Sequence, residues 1–253
     1  DRSVKRGNTS AMPTTRVRDL ELYFDTFGDP AHDTVLLVSG LGAQCPVYDD
    51  ELCGLLVRGG HHVVRYDNRD VGLSTHLDGA PGDPMAAFMA TAAGEAVDAA
   101  YTLSDMAADG IGLLDSLGID AAHVLGSSMG GSAAIELISR HPGLVERMIL
   151  NDVGPHIPAR RRKRRAEAIA RHYVFHSPAE LLRKVGASQK NDGPLGDDIR
   201  FNLTFHQTRW SEDDGGRVYR HDVRALQAYR RDARHSLQQW REWRHVHCPL
   251  LLI

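Results

Sequence analysis

Gly126-Ser127-Ser128-Met129-Gly130 is the stretch of this 253-residue chain in which residue type and spacing together suggest chemistry. It lies between an apolar run, His123 to Leu125, and a helical pattern carrying Ala133, Ile135, Leu137 and Ile138, so it reads as strand, sharp turn, helix. Glycines at such a turn let the backbone double back tightly enough to leave the central hydroxyl exposed above a sheet, where it can attack a carbonyl carbon. Ser128 has glycine at both minus two and plus two and its neighbour Ser127 has neither, so Ser128 is the candidate nucleophile. A third glycine, Gly131, lets the following helix pack close to its neighbours. The competing reading is a glycine-rich turn with no chemistry.

The flanking sequence must position that hydroxyl. Leu20, Leu22 and Phe24 alternate with Glu21 and Tyr23 ahead of the turn Gly28-Asp29-Pro30, which predicts an N-terminal strand or hairpin. Thr34 to Val38 is an apolar run that fits a strand buried on both faces. Helical spacing at Leu52, Leu55 and Leu56 precedes a strand at Val63 to Tyr66. An amphipathic helix is expected from Thr102 to Gly118, the Ser128 strand follows, and Met148 to Leu150 forms another strand. Strands alternating with helices predict an α/β fold, a mostly parallel sheet with helices on both faces. Asp67 and Arg69, at the end of the Val63–Tyr66 strand, are expected to hold the adjacent loop by hydrogen bonds.

The next parallel-type strand, Pro249 to Ile253, comes only after 95 residues, far more than the dozen or so that a crossover needs. The interval therefore reads as a helical cap insertion. The expected organisation is a leader or disordered start at 1–13, with Met12 a plausible first residue, and a core at 14–155. A cap insertion and return helix follow at 156–247, and a late core strand begins at 248–253. Residues 79–100 should be a loop with a short helix over the site. Within the cap, Ser177-Pro178-Ala179-Glu180 reads as a capping box, Asp213 to Gly216 as a turn, and Asp222 to Arg244 as a long basic helix. Trp240 and Trp243, three apart, suggest packing.

Composition narrows the function. No apolar run approaches the roughly 18 residues that span a membrane, and the start DRSVKRGNTSA lacks a signal-peptide core, so the default location is the cytoplasm. Cys45, Cys53 and Cys248 are odd in number and lack C-x-x-C spacing, which suggests neither a disulfide framework nor a zinc site. The 14 histidines form no metal-binding motif, and no metal is expected. Of the 30 Lys and Arg, 20 lie in residues 157–247 with 11 of the 33 Asp and Glu, so that segment carries +9 and the remainder −12. It either docks on an acidic body or attracts an anionic ligand. The run Arg160 to Arg165 has no interleaved aromatics and no nucleic-acid fold signature, so it reads as a solvated cap helix and no nucleic-acid partner is expected.

With the nucleophile turn, the loop SGLGAQ (39–44) and the segments YDNRDVGLST (66–75) and NDVGPHIPA (151–159), the chain resembles the serine hydrolases of the α/β-hydrolase superfamily, most closely aclacinomycin-methylesterase-like and proline-iminopeptidase-like esterases. The resemblance implies the α/β-hydrolase fold and hydrolysis of carboxylic esters or related acyl compounds through an acyl-enzyme, without a cofactor. It also implies an oxyanion hole from the backbone N–H groups of Leu41 and Met129. Ser39 stands where many members have histidine, at a position that supports the loop. The superfamily order is serine, then acid, then histidine, on late strand ends. Ile253 falls inside the strand that would carry the acid, so the chain is expected to be C-terminally truncated, with acid and histidine beyond it. Within the chain, Asp152 and His156 lie at the right end of the strand after Ser128 and are the candidates for acid and base, although turn and hinge roles also explain both. His245 and His247 belong to the opposite end.

The expected partner is a small-molecule ester or acyl substrate, with the oligomeric state open. A serine at the nucleophile turn excludes dehalogenase or epoxide-hydrolase chemistry, which needs a carboxylate there. A non-catalytic ligand-binding protein on a hydrolase scaffold is the reading from another class. Carbon–carbon hydrolases, perhydrolases and lipases are the serine-based alternatives.

Overall fold

The alternating apolar residues near the N-terminus build a hairpin, β1 (Thr14–Val17) against β2 (Leu20–Phe27), in a computed structural model that describes residues 13–77, 101–169, 173–186, 196–206, 208–219 and 236–253. β3 (Thr34–Val38) is buried at all five positions, as its continuous apolar run requires. α1 (Asp50–Arg58) starts where the Asp49 carboxylate accepts the Leu52 N–H, and β4 (His62–Tyr66) follows. α2 (Leu103–Ser116) opens on a reciprocal capping box between Thr102 and Asp105 and stops before Gly118. β5 (Ala122–Ser127), α3 (Met129–Arg140) and β6 (Val145–Asn151) complete the segment that carries the candidate site.

Seven strands form one sheet in the order β1-β2-β4-β3-β5-β6-β11, the last being Leu250–Leu252, named β11 because four short strands precede it in the chain. The first two strands are antiparallel additions, and β4, β3, β5, β6 and β11 run parallel. This is the α/β-hydrolase architecture expected from the sequence. Side-chain alternation splits the core into two layers. Leu36, Val64, Tyr66 and Val124 face α2 and α3, whereas Val35, Leu37, Val63 and Leu125 pack with residues of α1 on the other face. Register sets the site: Val38 of β3 pairs with Gly126 of β5, so the loop leaving β3 and the turn leaving β5 emerge side by side.

Between β6 and β11 the described pieces are β7 (His156–Ile157), α4 (Ala159–Ile169), α5 (Pro178–Gly186), α6 (Asp197–His206), the hairpin β8 (Thr208–Ser211) to β9 (Gly216–Tyr219), β10 (Leu237–Gln238) and α7 (Trp240–Trp243). The Ser177 hydroxyl accepts the Glu180 N–H at 3.2 Å, but the Glu180 carboxylate reaches the His176 N–H, one residue earlier than a standard capping box. The expected turn at Asp213–Gly216 joins a hairpin that the sequence reading did not anticipate.

One expectation is corrected. A helix running to Arg244 is incompatible with β10, because Leu237 and Gln238 pair antiparallel with Ile157 and His156 and the Gln239 N–H donates to the Pro155 carbonyl. Helix is present at 240–243, where Trp243 packs on the core and Trp240 is exposed. The N-terminal part of that segment (222–235), the loop at 79–100 and the start at 1–12 lie outside the described residues. Among the described residues no helix is long and apolar enough to cross a membrane.

Candidate active site

Ser128 sits at φ 54°, ψ −121°, a conformation that costs a residue with a side chain about 1–3 kcal/mol and persists only where the surroundings enforce it. Its N–H donates to the Asn151 carbonyl at 3.0 Å, and its carbonyl accepts the N–H groups of Gly131 and Ser132. The three glycines are dictated by contact. A Cβ on Gly126 would lie 2.6 Å from Gly131 Cα, one on Gly130 would lie 2.2 Å from the Val38 carbonyl oxygen, and one on Gly131 would lie 2.1 Å from Val153 Cγ1. Helix α3 thus rests backbone to backbone on β3 and β5, with Ser128 at its N-terminus. Ser127 is the last residue of β5. Among the described residues the Ser128 hydroxyl has no hydrogen bond.

The loop after β3 closes on the same spot. Ser39 is buried and donates its hydroxyl hydrogen to the Ala43 carbonyl at 2.9 Å, while the Ala43 N–H donates to Gly40 at 3.2 Å. The buried Asn68 amide donates to the Ser39 carbonyl at 3.0 Å, a support that no sequence motif announced. Gly40 lies against the nucleophile turn: a Cβ there would fall 3.2 Å from Ser128 Cβ and 3.7 Å from Ser128 Oγ. Leu41 follows, and among the described residues its N–H has no carbonyl partner. Met129 is the first residue of α3, so its N–H is one of the helix's unpaired donors. The loop carrying Leu41 and the start of α3 therefore meet beside Ser128.

Asp67 and Arg69 take the holding roles expected of them. One Asp67 oxygen accepts the Cys45 N–H at 2.6 Å and the other accepts the Leu73 N–H at 2.9 Å, joining the loops that leave β3 and β4. Arg69 forms a two-point ion pair with the buried Asp109 of α2, at 2.6 Å for each contact. The cysteines are free thiols, and burial pushes Cys53 up to about 11, away from nucleophilic use at neutral pH.

Asp152 and His156 both follow β6, at the end of the sheet where Ser128 stands, but each is engaged elsewhere. The Asp152 carboxylate pairs with Arg161 of α4, and the His156 ring stacks on Trp240 with centroids 6.5 Å apart. Among the described residues neither is hydrogen-bonded to Ser128. His245 and His247 precede β11 and lie at the opposite end of the sheet. Gln239 is a residue the sequence reading missed: it is buried, and its amide donates to the Ser132 carbonyl at 3.0 Å, fastening the returning chain to the helix behind Ser128.

Comparison with known proteins agrees with this fold. Rhodomycin D methylesterase DnrP of Streptomyces peucetius is 33% identical over 123 residues, 48% of this chain and 36% of its own length. RutD of Variovorax paradoxus (strain S110), a proposed carbamate hydrolase, is 29% identical over 131 residues, 52% of this chain and 42% of its own. The chain thus spans less than half the length of these curated relatives. Among solved structures, E-2-(acetamidomethylene)succinate hydrolase superposes with a TM-score of 0.65 at 19% identity, covering 95% of this chain and 78% of its own. The thioesterase domain from the curacin biosynthetic pathway gives 0.62 at 17%, covering 97% and 82%. At such identities these likenesses speak for the fold alone. The description "alpha/beta hydrolase fold" matches residues 33–252, most of the chain, and the chain belongs to the alpha/beta hydrolase fold family.

Proposed function

We propose that this chain carries the nucleophile and oxyanion hole of a serine hydrolase acting on carboxylic esters or related acyl compounds. What supports this reading is the strained Ser128 at the start of α3, lying against Gly40 of the loop that continues into Leu41. Ser128 Oγ attacks the acyl carbon and gives its proton to a base. The two N–H groups hold the resulting oxyanion, the alkoxide leaves as the alcohol after protonation, and water hydrolyses the acyl-enzyme. No cofactor takes part. In the superfamily order the acid and histidine follow the nucleophile in the chain. Asp152 and His156 are not assigned to those roles, because Arg161 and Trp240 engage them. Residues 156–247 serve as a cap that governs access, and the substrate is a small molecule handled in the cytoplasm.

Fluorophosphonate labelling tests this on the 253-residue chain and on the open reading frame that contains it. Rapid labelling of the open-reading-frame product, lost in Ser128→Ala, is the expected result. No labelling of either form would overturn the assignment and favour a ligand-binding protein on a hydrolase scaffold.

A further inference from the structure

At the end of the sheet remote from Ser128, where β3, β5 and β6 begin, Asp33, His123 and Glu146 converge. One ligand atom from each lies within 4.8 Å of the other two. The His123 side chain is 13% exposed, and both of its ring nitrogens are buried without a hydrogen-bond partner. Edge-on to it, with centroids 5.5 Å apart, stands His61, whose Nδ1 is likewise buried and unpartnered. Buried polar atoms are nearly always satisfied, so imidazole nitrogens with no protein partner among the described residues, beside two carboxylates, call for a bound water or ion.

Two details point to a cation. Ala122 pairs with Val145 whereas His123 pairs with Arg147, so Glu146 is an extra residue in β6, and a bulge of this kind re-aims a side chain out of the regular alternation. His123 Nδ1 and Glu146 Oε2 are 3.4 Å apart without hydrogen-bond geometry. Two donors each roughly 2.1 Å from a tetrahedral zinc ion lie about 3.4 Å from one another. Asp33 and Glu146 reach solvent, so an ion can arrive from outside.

We propose that Asp33, His123 and Glu146 form a binding site for a divalent cation of the zinc class. One imidazole and two carboxylates match its charge and its preference for mixed nitrogen and oxygen donors, and solvent takes the remaining position. In open α/β sheets ligands react at the carboxyl ends of the strands, and this cluster lies at the other end, so its role is to fasten three strand starts together.

Metal-stripped protein titrated with ZnCl2 by calorimetry, with metal counted per chain after gel filtration, tests the site. The expected result is one zinc ion per chain. Affinity should fall at least tenfold in Asp33→Asn and Glu146→Gln, and stoichiometric binding should be lost in His123→Gln. Zinc should raise the Tm of the parent chain more than that of Glu146→Gln at the same zinc concentration. Asp33 and Glu146 are exposed, so their amide variants keep the fold and decide the matter if His123→Gln does not fold. Absence of stoichiometric uptake, uptake unchanged in all three variants, or a preference for Ca²⁺ over Zn²⁺ would each overturn the proposal. Ser128 labelling is expected to be unaffected in Asp33→Asn and Glu146→Gln, which separates this test from that of the proposed function.

Discussion

Gly130→Ala is the substitution whose effect can be worked most fully from the geometry. The new methyl would lie 2.2 Å from the Val38 carbonyl oxygen and 2.5 Å from that of Ser39, against an ordinary contact of 3.4–4 Å. Relief requires α3 and the end of β3 to separate by about 1 Å, since both obstacles are backbone and neither can rotate away. Overpacking of this kind costs about 1–3 kcal/mol. With a urea slope of about 3 kcal/mol/M, the midpoint should fall by about 0.3–1 M. The displaced atoms belong to the elements that carry Ser128 and lead into the loop of Gly40 and Leu41, and an error of 1 Å in a reacting geometry costs about 10²-fold in rate. Fluorophosphonate labelling should therefore slow by about that factor. Gly143→Ala is the matched control, because a Cβ there meets nothing within 4 Å. Equal labelling rates and equal urea midpoints for Gly130→Ala and the parent chain would refute the idea that close approach of α3 to β3 sets the site.

Asp109→Ala leaves the buried Arg69 without its principal partner and should destabilise by about 3–5 kcal/mol, whereas the double variant Arg69→Met/Asp109→Leu should recover most of that loss in urea unfolding. Burial holds His62 below its ordinary value of 6.5, so the unfolded chain binds a proton that the folded chain resists. Stability is then unaffected above about pH 6.5 and falls as the pH drops below it, with a slope that flattens in His62→Asn; a slope unchanged by that substitution counts against the assignment. Asp152→Asn and His156→Ala should each leave Ser128 labelling within about tenfold of the parent rate, and a loss approaching the 10³ to 10⁴-fold typical of a triad member would return them to the mechanism.

The parts of this molecule legible in the sequence are those under local steric rule. Ser128 stood out because its turn admits only glycine at 126 and 130, and those positions prove to be backbone contacts that exclude a Cβ. Buried strands such as Thr34–Val38 show as uninterrupted apolar runs, and α2 shows its capping residue and terminal glycine. Legibility fails where a long-range pairing decides the outcome. Leu237 and Gln238 carry helix-compatible neighbours yet form a strand because β7, 80 residues earlier in the chain, offers an edge. Asn68 looks like any turn residue until its amide is seen holding Ser39. Glu146 becomes a partner of His123 only through a bulge, and periodicity alone does not reveal one.

The tripeptide Asp67-Asn68-Arg69 has a consequence for how this family member can vary. Three consecutive side chains leave in three directions: to the loop N–H groups of Cys45 and Leu73, to the loop behind Leu41, and to α2. Loops ordinarily absorb changes of length with little penalty. Here the residues work as a reading frame, because deleting one residue at position 67 would hand each of the three tasks to the next residue along: an amide where two N–H groups need a carboxylate, a guanidinium where a short amide fits, and no cation for Asp109. Substitution at one position damages one tie, whereas a single insertion or deletion severs all of them at once. Variation in length should therefore be tolerated at the Gly143 turn, where space is open, and selected against between Tyr66 and Asp70.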